Sequence, residues 1–144
     1  MTTSPTSPTS ATEQPGDNHI RVDGPDGPVM VNVEAIEQRI AAGIRPVVDG
    51  GRIDPAEITK TIAGLVGDAK VLLPVAEARY KDHGGQVAMG LDSLRRRLAY
   101  HRPDPCLYPL NAALCAADLA RSCRTLLSLV TEPVDSHRVV LTTW

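Results

Sequence analysis

The spacing of apolar residues divides the chain into a polar N-terminal stretch, a short segment rich in β-branched residues and a long helical region. Residues 1–18 consist mainly of Ser, Thr and Pro, with almost no apolar side chains. Such a segment cannot bury enough apolar surface to offset the entropy lost on ordering. We therefore predict that residues 1–18 form a disordered tail.

Residues 19–32 contain two short apolar runs on either side of the sequence Asp-Gly-Pro-Asp-Gly-Pro. β-Branched residues that flank a cluster of turn-forming residues are typical of a β-hairpin. Pro25 and Pro28 restrict such a hairpin to an edge or a loose loop, and an isolated two-stranded hairpin is only marginally stable. The prediction for this segment is a loop or a small hairpin.

From Val33 onwards, apolar residues recur every three or four positions, which is typical of amphipathic helices. The first helix is expected to end near Gly43, because Pro46 follows and a proline disfavours helical geometry in the preceding residue. The apolar stripe of this helix consists of Val33, Ile36, Ile40 and Ile44.

The second helix has the clearest start signal, with Asp54 as N-cap and Pro55 at the first helical position. Its apolar face continues to Tyr80, and the glycine-rich sequence 82–85 is expected to end it. Pro74 lies inside this helix, where it removes one backbone hydrogen bond and clashes with the carbonyl of Lys70. We therefore predict a kink around residues 70–74.

A third helix is predicted over residues 86–100 and a fourth from residues 107–110 to about Val130, where Pro133 follows. The fourth helix has a heptad-like seam made of Ala116, Leu119, Cys123, Leu126 and Val130. Helices with single apolar stripes and short connections bury those stripes against each other. The predicted fold is all-α, a small antiparallel bundle of three to four helices over residues 33–132, followed by a C-terminal tail at 133–144. Leu65, Leu72 and Leu126 are predicted core residues.

The composition of the chain indicates what kind of core it has and in which compartment it is expected. The 144 residues include three Tyr, one Trp and no Phe, so the core must be aliphatic. No apolar stretch approaches the roughly 20 residues that a membrane span needs, and no secretory leader pattern is present. The three cysteines fit no zinc-binding spacing, Cys123 lies on the helix seam as an apolar filler, and Cys106 is the thiol most expected to be exposed. These features predict free thiols and a cytoplasmic protein without membrane contact.

Charge is unevenly distributed, although the net charge is only −2. Residues 86–124 carry six arginines against three aspartates. If they share one side of the third and fourth helices, these arginines form a cationic face for an anionic partner, although a solvated helix face is the plainer interpretation. The six arginines are Arg95, Arg96, Arg97, Arg102, Arg121 and Arg124.

The residue pattern indicates no catalytic, cofactor or metal site. His83, His101 and Cys106 are the one combination considered for a metal, and their spacing matches no known motif. No phosphate-binding glycine loop and no serine nucleophile motif occurs. The carboxylates are expected to be solvated or to complement helix dipoles. They are Glu34, Glu37, Glu57, Asp68, Glu77 and Asp92.

Three helical segments carry a resemblance to a known family. The first segment is residues 72–78, Leu-Leu-Pro-Val-Ala-Glu-Ala. The second is the Arg-rich segment 93–98, and the third is residues 119–127, Leu-Ala-Arg-Ser-Cys-Arg-Thr-Leu-Leu. These segments resemble short helical domains of unknown function from antibiotic-producing actinobacteria that are associated with natural-product biosynthesis. The resemblance covers about residues 33–130. It implies a bacterial cytoplasmic protein with an accessory or regulatory role, and it brings no catalytic residues.

The leading hypothesis is a non-enzymatic helical protein that acts through contacts with a protein partner or a second copy of itself. One alternative is a nucleic-acid-binding regulator that uses the arginines. The other is an enzyme with an unrecognised site around Pro74, Glu77 and Cys106.

Overall fold

A computed structural model describes residues 19–49, 52–83 and 85–133 of the chain. Within these ranges a hairpin precedes four helices. The elements are β1 (His19–Gly24), β2 (Gly27–Asn32), α1 (Val33–Asp49), α2 (Pro55–Arg79), α3 (Gly85–Leu98) and α4 (Pro109–Thr131). The predicted helical bundle is confirmed as a mostly helical fold, but the hairpin means that it is not strictly all-α. The predictions for residues 1–18 and 134–144 lie outside the described residues.

The segment 19–32 forms the hairpin rather than a loop. The two strands pair antiparallel, with Arg21 opposite Met30 and Asp23 opposite Pro28. Gly27 has a φ of 127°, a left-handed geometry that favours glycine and that lets the chain reverse direction here. Val31 is buried in the helical core, and β1 packs on α2. This packing supplies the stability that an isolated hairpin lacks.

Helix α1 extends further than the sequence predicts, because it passes through Pro46 and ends at Asp49. The predicted end near Gly43 is therefore wrong. Gly43 lies at a tight helix contact, where an added Cβ atom would be 2.8 Å from Leu65 Cδ1 and 3.0 Å from Ala120 Cβ. Pro46 lies in the last turn of α1, where the proline interrupts the hydrogen-bond pattern only close to the end of the helix.

Helix α2 begins as predicted and ends earlier than predicted. The carboxylate of Asp54 accepts a hydrogen bond from the backbone N–H of Ala56 at 3.0 Å. At the other end Tyr80 is the C-cap, and its N–H donates to the carbonyl of Ala76 at 3.0 Å. The predicted glycine end is wrong, since Gly85 (φ 67°) instead begins α3. The helix is continuous through Pro74, and the kink there stays a prediction.

The core is formed mainly by α2 against α4, with α1 packed on both and α3 packed on α2. Leu65, Leu72 and Leu126 are fully buried, which confirms them as core residues. Buried alanines along α4 let the neighbouring helices approach closely. Cys123 is also fully buried, and its thiol donates to the carbonyl of Leu65 at 3.3 Å. Its predicted role as an apolar filler of the core is confirmed.

One carboxylate in this region is buried, contrary to the sequence prediction. Asp68 is 8% exposed and accepts two hydrogen bonds from Arg39 of α1, at 2.6 Å from Nε and 2.7 Å from Nη2. This hydrogen bonding to Asp68 is the main reason that the pKa of Arg39 is raised. A bidentate arginine pair offsets the cost of burying the carboxylate, and it fixes α1 against α2.

Candidate functional site

Three of the six arginines singled out from the sequence are paired with carboxylates. Arg95 reaches across from α3 to Glu77 of α2 and is held there by two hydrogen bonds. The other two pairs lie within single helices, Arg96 with Asp92 and Arg121 with Asp118. All three pairs are solvent-exposed or partly so, and pairing removes much of their attraction for an outside anion.

The remaining three arginines have no carboxylate within salt-bridge distance among the described residues. Arg97 donates to the hydroxyl of Ser122 on α4 at 3.5 Å, whereas Arg95 on the same helix faces α2. Arg102 lies in the α3–α4 loop, and Arg124 lines a different cavity beside Glu37. The structure thus brings Arg97 and Arg102 together and does not gather all six arginines into one face.

Arg97 and Arg102 line a cleft of about 390 Å³ between α3, the α3–α4 loop and the N-terminal half of α4. Leu94, Leu114 and Leu119 supply most of its apolar wall. This cleft exists because α3 packs on α2 rather than along α4, so the first turns of α4 have no helix covering one of their sides.

Large apolar side chains are exposed along the segment that joins α3 to the first turns of α4, and two of them, Tyr100 and Leu114, line the cleft. Five of them, in residues 100–114, are between 47% and 69% exposed. They are Tyr100, Leu107, Tyr108, Leu110 and Leu114. Exposed apolar residues elsewhere in the described chain are scattered along several elements, and single exposed residues are ordinary. Five exposed large apolar side chains within residues 100–114 are a higher density than in any other described segment of the same length.

The loop that carries these side chains is held by local hydrogen bonds. The carbonyl of Asp104 accepts from the N–H groups of Leu107 at 3.1 Å and of Tyr108 at 2.7 Å. The Asp104 carboxylate accepts from the N–H of Cys106 at 2.9 Å. With Pro103 and Pro105 beside it, this turn has few alternative conformations. The loop therefore presents its apolar residues in a defined arrangement.

Arg102 lies between two grooves. On its other side a second groove of about 420 Å³ runs between the loop and α2, lined by Ile62, Val66 and Pro103 among others. The Nη1 atom of Arg102 donates to the carbonyls of Leu98 at 3.1 Å and Tyr100 at 3.2 Å. These bonds fix the guanidinium between the grooves.

Two thiols lie in this region, and they differ in burial. Cys115 lines the cleft half-buried, and burial raises its pKa while the charge of Arg102 acts in the opposite direction. A raised pKa lowers the thiolate fraction that a nucleophile needs. Cys106 is exposed, as predicted.

The described residues contain no group of three or more His, Cys, Asp or Glu side chains that could hold a metal ion. His83, one of the residues considered for a metal, packs its ring against Tyr80 at 5.4 Å between centroids. The carboxylate of Glu77, the residue that the enzyme alternative places in its site, accepts a hydrogen bond from Arg95 Nε at 2.9 Å.

Sequence reasoning missed the apolar cluster beside the cleft. The signal was present, because Leu110 and Leu114 are one turn apart on α4 and lie off the seam that Ala116, Leu119 and Cys123 define. An apolar pair off the core-facing seam points away from the bundle.

Comparison of the chain with models of protein families, with curated proteins and with solved structures finds no match. Within the residues that the structure describes, no helix is both long enough and apolar enough to cross a membrane.

Proposed function

We propose that this chain is a non-enzymatic helical protein that binds another protein through the surface formed by Arg97, Tyr100, Arg102, Leu107, Tyr108, Leu110 and Leu114, here called the α3–α4 surface. The observation that supports it is the cluster of exposed large apolar side chains on an ordered loop beside a cleft. Protein interfaces are enriched in aromatic residues and arginine, and their centres bury apolar side chains in pockets.

Nucleic-acid binding is the weaker alternative. It relies on several unpaired cations along one surface, because affinity for phosphates grows with the number of charges neutralised. Three of the six arginines are already paired with carboxylates, and Arg124 lines another cavity. An accessory role in natural-product biosynthesis and a cytoplasmic location rest on the family resemblance and the composition, and both are part of this proposal.

The proposal is tested by capture of binding proteins with purified wild type and with the double variant Leu110→Gln/Leu114→Gln. Both leucines are exposed, so the variant is expected to fold. Met89→Gln is the matched control, because Met89 is an exposed apolar residue of α3 outside the α3–α4 surface. We expect a partner that wild type and the control retain and the double variant loses.

Two results would count against this function. One is the same set of captured proteins for wild type and the double variant. The other is self-association in sedimentation experiments that Leu110→Gln/Leu114→Gln abolishes, with no heterologous partner captured, because the surface would then be a contact between copies.

A further inference from the structure

We infer that the cleft between α3 and α4 receives an acidic segment of the partner protein, with a carboxylate on Arg102 and an adjacent large apolar side chain against the leucine wall. This inference rests on the proposed function and adds the chemistry of the partner. It follows from the charges in the cleft, from the free edge of Arg102 and from the size of the apolar space.

The cleft has an excess of positive charge. Arg97 and Arg102 line it, and the one carboxylate among its lining residues, Asp118, is held by Arg121 at 3.0 Å. A wholly apolar partner would cover two guanidinium groups without giving them an anion, which is costly. A partner that brings carboxylates removes that cost and is also steered towards the cleft.

Two nitrogen atoms of the Arg102 guanidinium, Nε and Nη2, have no hydrogen-bond partner among the described residues. Its two bonds to the carbonyls of Leu98 and Tyr100 both use Nη1. The Nε–Nη2 edge makes two parallel hydrogen bonds with a carboxylate, as Arg39 does with Asp68 in this chain. Because Nη1 is already anchored, little side-chain entropy is lost on binding.

The volume of the cleft limits what it can receive. A volume of about 390 Å³ is near the lower end of the range for small-ligand sites, about 300–1,000 Å³. It has room for large side chains of a bound segment and not for a whole secondary-structure element. Leu94, Leu114 and Leu119 form its apolar wall, and Tyr100, which is largely exposed, also lines it. This arrangement favours a peptide in which an acidic residue neighbours a leucine or an aromatic residue.

The experiment is selection of random 12-residue displayed peptides on the folded full-length chain, followed by measurement of binding of the selected peptides. We expect sequences in which Asp or Glu neighbours a large apolar residue. Arg97→Gln and Arg102→Gln should each weaken these peptides roughly tenfold or more, since a hydrogen bond to a charged group contributes about 1.5–3 kcal/mol. Arg45→Gln, at an exposed arginine of α1, is the matched control and should leave binding unchanged.

Arg102→Lys separates the contribution of the two parallel hydrogen bonds from that of the positive charge, because lysine keeps the charge but cannot make both bonds to one carboxylate. We expect it to bind the selected peptides more weakly than wild type and more tightly than Arg102→Gln. Arg97→Gln, which removes only a long contact to Ser122, keeps the test valid if Arg102 variants disturb the loop.

The outcomes distinguish this inference from the proposed function. Peptides that require Leu110 and Leu114 but show no enrichment in Asp or Glu would overturn the acidic segment and leave the surface intact. Peptides insensitive to both leucines and both arginines would overturn both. Tight binding of duplex DNA that Arg97→Gln and Arg102→Gln abolish, without selected acidic peptides, would also overturn the inference.

Discussion

Helix α4 uses Ala and Leu in both of its halves, and the two halves meet different neighbours. From Ala116 to Val130 the apolar residues face α1 and α2 and are buried or half-buried. In the first turns Ala112 and Ala113 are buried against α2, while Leu110 and Leu114 are 62% and 47% exposed. The difference comes from α3, which packs on α2 and leaves one side of these turns uncovered. Residue type therefore does not decide burial here; the arrangement of the neighbouring helices does.

Charged residues follow the same division. In the closed region, which consists of α1, α2 and the C-terminal half of α4, the buried Asp68 has its partner in Arg39. In the open region, which consists of α3, the loop and the first turns of α4, Arg97 and Arg102 have no carboxylate among the described residues. The buried carboxylate of the closed region is therefore paired within that region, although Arg124 of α4 has no carboxylate partner among the described residues and Val48 of α1 is 70% exposed. The open region has exposed large apolar side chains together with two arginines that lack a carboxylate partner.

The largest expected contrast is between a leucine of each region. Leu72→Ala should lower the free energy of unfolding by about 2–5 kcal/mol, because Leu72 is fully buried and the truncation leaves a cavity. Leu110→Ala should change it by less than about 0.5 kcal/mol, because the side chain is largely in solvent. Urea unfolding of both variants measures the two values. Equal losses at the two positions would contradict the division into a closed and an open region.

Local sequence signals were sufficient for the starts of the helices and for most of their buried apolar residues. Asp54 and Pro55 mark the start of α2, and the spacing of three and four residues identifies the stripes that include Leu65 and Leu72. The observed bounds of α3 and α4 agree with the predicted ones within about two residues, since caps and periodicity act within one helix. The turn residues of segment 19–32 also allowed the hairpin to be named as one of two predicted structures, a loop or a small hairpin.

Features that depend on contacts between distant residues were missed. Helix α1 continues through Pro46, and Gly43, where the helix was expected to end, is packed closely against Leu65 and Ala120 of other helices. Asp68 was expected in solvent, although its spacing of three from Leu65 and four from Leu72 places it on the buried stripe. The pairing of Arg96 with Asp92 was readable from their i,i+4 spacing, whereas that of Arg95 with Glu77 required the tertiary structure.

A comparison of two glycines tests how tightly the closed region is packed. Gly43→Ala should destabilise the protein by about 1–3 kcal/mol, because its Cβ atom would lie 2.8 Å from Leu65 Cδ1 and 3.1 Å from the carbonyl of Ala116. Gly67→Ala, where no atom lies within 4 Å of the new Cβ, should stabilise α2 by about 0.5–1 kcal/mol. Thermal unfolding of the two variants shows whether each substitution lowers or raises the stability. A stabilising Gly43→Ala would mean that α1 has room to move away from α2 and α4.

The buried thiol of the closed region should make stability fall at alkaline pH. Burial, together with the negative charge of Asp68, raises the pKa of Cys123 from 9.0 to about 12, and the charge of Arg39 acts in the opposite direction. The stability that this shift contributes is fully present below pH 9 and is lost as the pH rises towards 12, because the unfolded thiol releases its proton first. Between about pH 8 and about pH 10 the loss reaches about 1.4 kcal/mol as an upper bound.

Cys123→Ala isolates this effect, since all other titrating groups stay the same. Unfolding of wild type and Cys123→Ala in denaturant at both pH values should give a steeper alkaline loss for wild type. Cys106→Ala, which removes an exposed thiol, should keep the wild-type slope. Identical slopes for wild type and Cys123→Ala would show that the buried thiol does not contribute.

The smallest expected effect compares two ion pairs of the same geometry. Arg39 with Asp68 and Arg95 with Glu77 each make two hydrogen bonds through Nε and Nη2. Their environments differ, because the Asp68 side chain is 11% exposed and the Glu77 side chain 34%. Double-mutant cycles with Arg→Met and the matching Asp→Asn or Glu→Gln should give a coupling of about 1 kcal/mol for the first pair, and about 0.3 kcal/mol for the second. The value for the first pair is moderate because Arg39 itself is 41% exposed, so water screens one side of the pair.

Raising the salt concentration to about 0.5 M should remove most of the coupling between Arg95 and Glu77 and preserve most of the coupling between Arg39 and Asp68, since screening acts mainly on exposed charges. Equal couplings with equal salt dependence would mean that Asp68 is as accessible to water as Glu77, and the closed region would then not be closed at the contact between α1 and α2.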